Sequence, residues 1–325
     1  MANRIGSPAA ALLFSVILLM GTAYAGASEQ PAYLALGDSL AFGVGAANPV
    51  AEGYVGLTHF QLESSVAYRQ SGLELLNVSE PGATSADVLE PDGQLQKALE
   101  HITNRANDGI AGNEVKLISI DIGANDLLQL AEPDAPCIKD SGSQACRASI
   151  SEMLSGLQTN LGITLRRLRD AAPGARIFVI DLFNPYSGSG DERELIANFA
   201  VQQVNGVTNV TASDPDLDVT LVPVFELFQG RGSQWISSDH IHPNDAGHRV
   251  MAEALLAAIA ERTVEVPDDH AGVPAGSPGP APGDGLEGLV SDDDDPLLPL
   301  VIAVPLAFLA GIVVSTTYFW VRGRR

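Results

Sequence analysis

Two short stretches, far apart in the chain, carry the residue types of nucleophilic catalysis. "LGDSLAFGVGA" places Ser39 just past an apolar run and ahead of a glycine-rich turn, and "SSDHIHPNDAGH" carries Asp239, His240, His242, Asp245 and His248. A serine hydroxyl attacks a carbonyl only when a base takes its proton, and an imidazole base needs an acid to orient it. Asp239 and His242 stand three apart on one loop. That spacing lets the carboxylate accept from one imidazole nitrogen while the other faces Ser39. His240 and His248 compete for the same role.

Two further stretches supply donors. "NVSEPGATS" contains Gly82 and "DIGANDLL" contains Asn125. A glycine N–H and an asparagine amide, with the N–H of Ser39 itself, are the groups that hold a developing oxyanion in acyl transfer. Each motif also has a plainer explanation: Gly-Asp-Ser as a helix cap, Gly82 as a turn and Asn125 as a cap. Four in order along the chain argue for one site. A competing assignment takes His240, His242 and His248 with Asp239 and Asp245 as a metal-ligating cluster of a metal-dependent hydrolase. It leaves the Gly-Asp-Ser and Gly-Ala-Asn-Asp loops without a purpose. A binding module without turnover is the other alternative, and the intact serine, histidine and aspartate argue against it.

These loops need a scaffold. Apolar or β-branched runs at residues 32–36, 73–78, 116–121, 176–183 and 219–224 read as strands. Between them lie helical patterns: Ile150, Met153, Leu157, Leu161, Leu165 and Leu168 recur at spacings of three and four before Pro173-Gly174, and Met251, Leu255, Leu256 and Ile259 do so after Pro243. Pro243 is placed to open the final helix. Alternation of strand and helix implies a parallel sheet covered on both faces, with its chemistry at the carboxyl ends of the strands. Ser39, Gly82 and Asn125 all follow predicted strands. Gly43-x-Gly45 is too short for a dinucleotide loop.

With 40 acidic and 18 basic residues and a net charge of −22, the chain lacks the basic face that nucleic acid requires. Residues 1–25 read as a signal peptide: Arg4, an apolar stretch, then Ala23-Tyr24-Ala25 for cleavage. Export makes Cys137 and Cys146 a candidate disulfide closing one loop. Residues 265–295 are rich in proline, glycine and aspartate and read as a disordered linker reaching about 30 Å. Residues 296–321 follow as a transmembrane helix, with the uncharged run 297–321 reaching ~37 Å at ~1.5 Å per residue. The arginines of tail 322–325 put that end in the cytoplasm. The expected protein is an exported, single-pass membrane protein whose globular body, residues 30–264, is extracytoplasmic.

Taken together, Gly37-Asp38-Ser39-Leu40, Asn77 through Gly82, Gly123-Ala124-Asn125-Asp126 and Asp239-His240-Ile241-His242-Pro243 resemble the four blocks of the SGNH (GDSL) hydrolases. Asp181 to Tyr186, "DLFNPY", resembles bacterial lipase-like members, and Ala124 departs from a frequent glycine. The resemblance implies a three-layer α/β/α, flavodoxin-like fold and an acyl-enzyme mechanism needing no cofactor or metal. In it Ser39 is the nucleophile, His242 the base, Asp239 the orienting acid, and Ser39, Gly82 and Asn125 the oxyanion hole. The substrate is an ester of small-molecule, lipid or acylated-glycan type; acyl length and leaving group depend on loops whose shapes one sequence does not specify.

Overall fold

The computed structural model describes residues 29–264. The signal peptide 1–25, linker 265–295, span 296–321 and tail 322–325 lie outside the described residues, and among the described residues no helix is long and apolar enough to cross a membrane.

Five strands form a parallel sheet: β1 Ala32–Gly37, β2 Glu74–Asn77, β3 Val115–Asp121, β4 Arg176–Ile180 and β5 Val219–Val222. Their order is β2-β1-β3-β4-β5, a doubly wound order of the flavodoxin type. β1 is buried at all six positions, as expected of a strand covered on both faces, and its sequence is an unbroken apolar run for that reason. Registers Leu36↔Ile120 and Gly37↔Asp121 bring the carboxyl ends of β1 and β3 level. The order of strands reverses between these two, so the crevice of the switch point opens beside Ser39 and Asn125.

Helices cover both faces. On one side pack α1 Ser39–Phe42, α2 Pro49–Glu52, α3 Tyr54–Glu63 and, from the end of the chain, a helix Asp245–Val264. Tyr33, Ala35, Leu117, Phe178 and Val222 of the strands meet Tyr54, Leu62, Met251, Leu255 and Ile259 there. On the other side lie α4 Gln94–Asn107, α5 Ala124–Gln129, α6 Pro136–Lys139, α7 Gln144–Ala171 and α8 Glu192–Ala212. Leu34, Leu36, Ile118, Ile120, Ile177 and Val179 meet Leu95, Leu157, Leu161, Leu165 and Val204 on that face. The spacing read for 150–168 is thus the core-facing stripe of α7, with Leu157, Leu161, Leu165 and Leu168 all buried. The last two helices are the short α9 Gly232–Trp235 and α10, the 20-residue helix Asp245–Val264 already placed.

Three strands fall short of the apolar runs. β2 is Glu74–Asn77 rather than 73–78, β4 stops at Ile180 and β5 at Val222. Beyond Ile180 the chain stays buried but leaves the ladder, where the Asp181 carboxyl accepts from the N–H groups of Val224 and Phe225 at 2.6 and 2.9 Å and ends both strands at one point. Pro243 does not open the last helix. It pairs with Ile236 in an isolated antiparallel bridge, and α10 begins two residues later, where Asn244 Oδ1 accepts from the N–H groups of Ala246 and Gly247.

Cys137 and Cys146 form a disulfide of sequence separation 9 that ties α6 to the first turn of α7. Closing so short a loop in the unfolded chain is worth about 2–3 kcal/mol by the loop-entropy relation. Replacing both cysteines by alanine should lower the free energy of unfolding by about that amount in chemical denaturation; equal midpoints for parent and variant would assign the bond no stabilising role.

Candidate active site

The site is built on the tight end of β1. Gly37 has φ +142°, and a Cβ there would fall 2.2 Å from Asp121 Oδ1, so only glycine lets the chain pass the end of β3. The buried side chain of Gln94 grips the same peptide from the other side: Gly37 N–H donates to Gln94 Oε1 and Gln94 Nε2 donates to Gly37 O, both at 2.8 Å. Asp38 N–H donates to Asp121 Oδ1 at 3.0 Å. Asp38 is then the N-cap of α1, its Oδ1 accepting from Leu40 N–H at 2.9 Å, and Ser39 is the first residue of the helical turn. The cap explanation of Gly-Asp-Ser holds for Asp38, which leaves Ser39 free of that task.

Ser39 Oγ lies 2.9 Å from His242 Nε2, and His242 Nδ1 lies 2.6 Å from Asp239 Oδ2. Asp239 Oδ1 accepts from the Ser237 hydroxyl at 2.7 Å and from the N–H groups of Ile241 and His242 at 2.9 Å each. Burial raises the Asp239 pKa, but these hydrogen bonds, led by that of His242, outweigh it and hold the carboxyl well below the ordinary range. An ionised Asp239 keeps the proton of His242 on Nδ1 and leaves Nε2 free to accept from Ser39.

The loop around His242 is set by sequence neighbours and by one distant glycine. Ser237 N–H donates to His242 O at 2.8 Å and His240 N–H to Ser237 O at 3.1 Å, closing a tight turn in which His240 adopts φ +64°. His240 is exposed and outside the relay. Gly45, with φ +97°, backs the loop; a Cβ on it would sit 2.2 Å from Pro243 O and 2.9 Å from His242 Cβ. The glycine-rich turn after the serine is therefore where the histidine loop is seated.

His248 is buried elsewhere. Its Nδ1 accepts from Tyr54 N–H at 3.3 Å and its Nε2 donates to Val44 O at 3.0 Å, and burial lowers its pKa. With both nitrogens taken by backbone groups, His248 is a neutral core histidine. Asp245 accepts from Ala47 N–H at 2.7 Å. The metal assignment thereby loses two of its five members to backbone contacts, and a third, Asp239, to the loop itself.

Asn125, in the first turn of α5, reaches back to Asp38, the neighbour of Ser39. Its Nδ2 donates to Ala83 O at 2.9 Å and lies 3.2 Å from Asp38 Oδ2. Gly82 precedes Ala83, is exposed, and among the described residues neither its N–H nor that of Ser39 donates a hydrogen bond. The Gly82 loop is held to α5 a second time, by Asp126, which accepts from Ser85 N–H at 2.8 Å and from the Ser85 hydroxyl at 2.5 Å. Two free backbone N–H groups and an asparagine amide next to a serine–imidazole–carboxylate relay can stabilise a tetrahedral oxyanion.

Four contributors escaped the sequence. Asp121, Gln94 and Tyr54 act from distant elements; an acid ending an apolar strand marks Asp121, while Gln94 and Tyr54 have no local signature. The Asp38 carboxyl was overshadowed by its neighbour Ser39.

The profile of the "GDSL-like Lipase/Acylhydrolase family" matches residues 35–250. The spore germination lipase LipC of Bacillus licheniformis is 25% identical over 234 residues, 70% of this chain and 95% of its own length. Among solved structures, a lipase from a goat rumen metagenome aligns with TM-score 0.53 and 23% identity, covering 70% of this chain and 97% of that one. An extracellular lipase of Streptomyces rimosus aligns with TM-score 0.51 and 23% identity, covering 70% and 99%. These two show a shared fold.

The seating of the histidine loop is testable. Gly45→Ala should lower both thermal stability, by about 1–3 kcal/mol, and ester turnover, through strain at positive φ and overlap with Pro243. Gly206→Ala, where a Cβ meets open space on α8, is the control. A Gly45→Ala protein as stable and as active as the control would show that the loop is not pinned there.

Proposed function

The chain belongs to the GDSL-like lipase/acylhydrolase family and is a carboxylic ester hydrolase, and from that premise we propose that Ser39 is its nucleophile, His242 its general base and Asp239 the acid that orients the base. The observation that carries this reading is the unbroken relay of 2.9 Å from Ser39 Oγ to His242 Nε2 and 2.6 Å from His242 Nδ1 to Asp239. His242 Nε2 takes the hydroxyl proton as Oγ adds to the ester carbonyl. The N–H groups of Ser39 and Gly82 and the amide of Asn125 receive the negative charge that forms on the carbonyl oxygen. When the tetrahedral adduct collapses, the imidazolium returns its proton to the departing alkoxide and an acyl-Ser39 remains. Water, deprotonated by the same nitrogen, then releases the acid and restores the serine.

The substrate is an ester of lipid, small-molecule or acylated-glycan type. Phe42, one turn beyond Ser39 and 43% exposed, offers an apolar edge for an acyl group. The enzyme is exported by residues 1–25, works outside the membrane, and is held to it by residues 296–321 through the linker 265–295. The support for that tether is the sequence: an uncharged run of membrane length between an acidic linker and terminal arginines.

Ser39→Ala should abolish both labelling by a fluorophosphonate and hydrolysis of chromogenic esters, and a chelator should change neither. His242→Ala should cost orders of magnitude in kcat where His240→Ala costs little, and Asn125→Ala should lower kcat by about 10²–10³ with KM nearly unchanged. Full turnover by Ser39→Ala, or equal losses in the two histidine variants, would reject the assignment.

The tether is tested by truncation. Full-length protein should sediment with membranes, and removal of residues 297–325 should release active enzyme into the soluble fraction. Soluble behaviour of the full chain would reject the anchor.

A further inference from the structure

The Asp38 carboxyl touches more than a helix cap requires. Oδ1 accepts from Leu40 N–H at 2.9 Å, on the turn that carries Ser39, and Oδ2 lies 3.2 Å from Asn125 Nδ2, on the loop beyond β3. A cap needs only the first of these contacts. We propose that Asp38 is a positioning residue for ester hydrolysis: its single carboxyl ties the turn of the nucleophile to the amide of Asn125 and so sets the distance between nucleophile and oxyanion donor. This rests on the reading of Asn125 as such a donor.

The hydrogen-bond inventory of Asn125 supports it. An amide nitrogen has two hydrogens, and here one goes to Ala83 O at 2.9 Å and the other faces Asp38 at 3.2 Å. A developing oxyanion must share one of them. The longer bond is the weaker, so the hydrogen facing Asp38 is the one an oxyanion draws away, while the bond to Ala83 keeps the amide in place beside the Gly82 loop. Asp38 thus holds the amide ready between turnovers and yields it during them.

Its environment suits that task. Asp38 is fully buried and, among the described residues, no cation pairs with it; around it stand the Ser39 side chain, Asp121 at the end of β3, Asp126 on α5 and the Tyr54 hydroxyl that donates to Asp121. Burial first, and the charge of Asp121 next, push the Asp38 carboxyl well above the ordinary carboxylate range. Asp38 itself reaches no substrate atom; its effect passes through Asn125.

A double-mutant cycle on the full-length enzyme tests this, with kcat and KM on a chromogenic ester and thermal midpoints for every variant. Asparagine at position 38 can satisfy Leu40 N–H or Asn125 Nδ2 but not both. Asp38→Asn should therefore lower kcat about 10–100-fold with KM little changed, and the same substitution in an Asn125→Ala background should cost less than about 3-fold. Asp38→Ser, whose short hydroxyl caps Leu40 N–H but stops short of Asn125, should show the same coupling if the asparagine variant does not fold. An equal factor in both backgrounds, a parental kcat for Asp38→Asn, or loss of folding in both variants would overturn the inference. Parental kcat for Asn125→Ala alone would instead reject the underlying oxyanion reading, which separates the two failures.

Discussion

The approach of β1 to β3 at their carboxyl ends is the constraint from which the rest of the site follows. Where Gly37 faces Asp121 there is no volume for any side chain, so the peptide of Gly37 lies against the acid and is locked by Gln94 from behind. Asp38 and Ser39 emerge from a backbone with no freedom left to lose. Ser39 is placed by strand packing, and the loop that carries it makes no independent choice of conformation. Such rigidity is what a site must have if its groups are to match a transition state.

That constraint is expensive in polar burial. Asp121 is wholly buried and burial pushes its pKa up to about 6, even though the Tyr54 hydroxyl at 2.6 Å and the Asp38 N–H pull it down. An unsatisfied carboxyl there would destabilise the fold by several kcal/mol, and these two donors are what make it tolerable. Tyr54 is held in turn by His248 on α10, and His248 by Val44 in the glycine-rich turn. A single chain of hydrogen bonds therefore runs from the end of the sheet, through the helix α3, to the same turn on which the His242 loop rests. Ser39 and His242, 203 residues apart in sequence, are referenced to one buried network.

Asn125 and the Gly82 loop are tied in from the other side of the switch point. Asn125 and Asp126 sit next to each other on α5 and take opposite tasks: the first reaches the Ala83 carbonyl and Asp38, the second clasps Ser85. Between them they define the loop from which the Gly82 N–H projects. The acidity of the chain, net −22, is compatible with this because the buried acids are matched by N–H and O–H donors rather than by cations.

Much of this was legible in the chain. The five apolar runs and their alternation with helical stripes determine a parallel sheet, since only a strand covered on both faces can be apolar throughout, and chemistry at its carboxyl edge follows from that topology. The spacing of Asp239 and His242 is itself a geometry, because residues three apart on a turn are neighbours whatever the rest does. Spacing alone left the choice among His242, His240 and His248 open, and only the resemblance to the four blocks pointed to His242: all three are imidazoles in one dodecapeptide, and it is packing that puts one against Ser39, one in solvent and one in the core. The same holds for the start of α10, which Pro243 would have opened had Ile236 not claimed it as a bridge partner. Asp121, Gln94 and Tyr54 are invisible for the opposite reason; they lie 83, 57 and 67 residues from the groups they hold, so no local pattern relates them. The sequence by itself determined which residue types stand at the ends of which strands, because that is a matter of local periodicity and spacing. Only the tertiary structure decided which of them touch, because contact at 3 Å depends on how two strands and four helices close over one another.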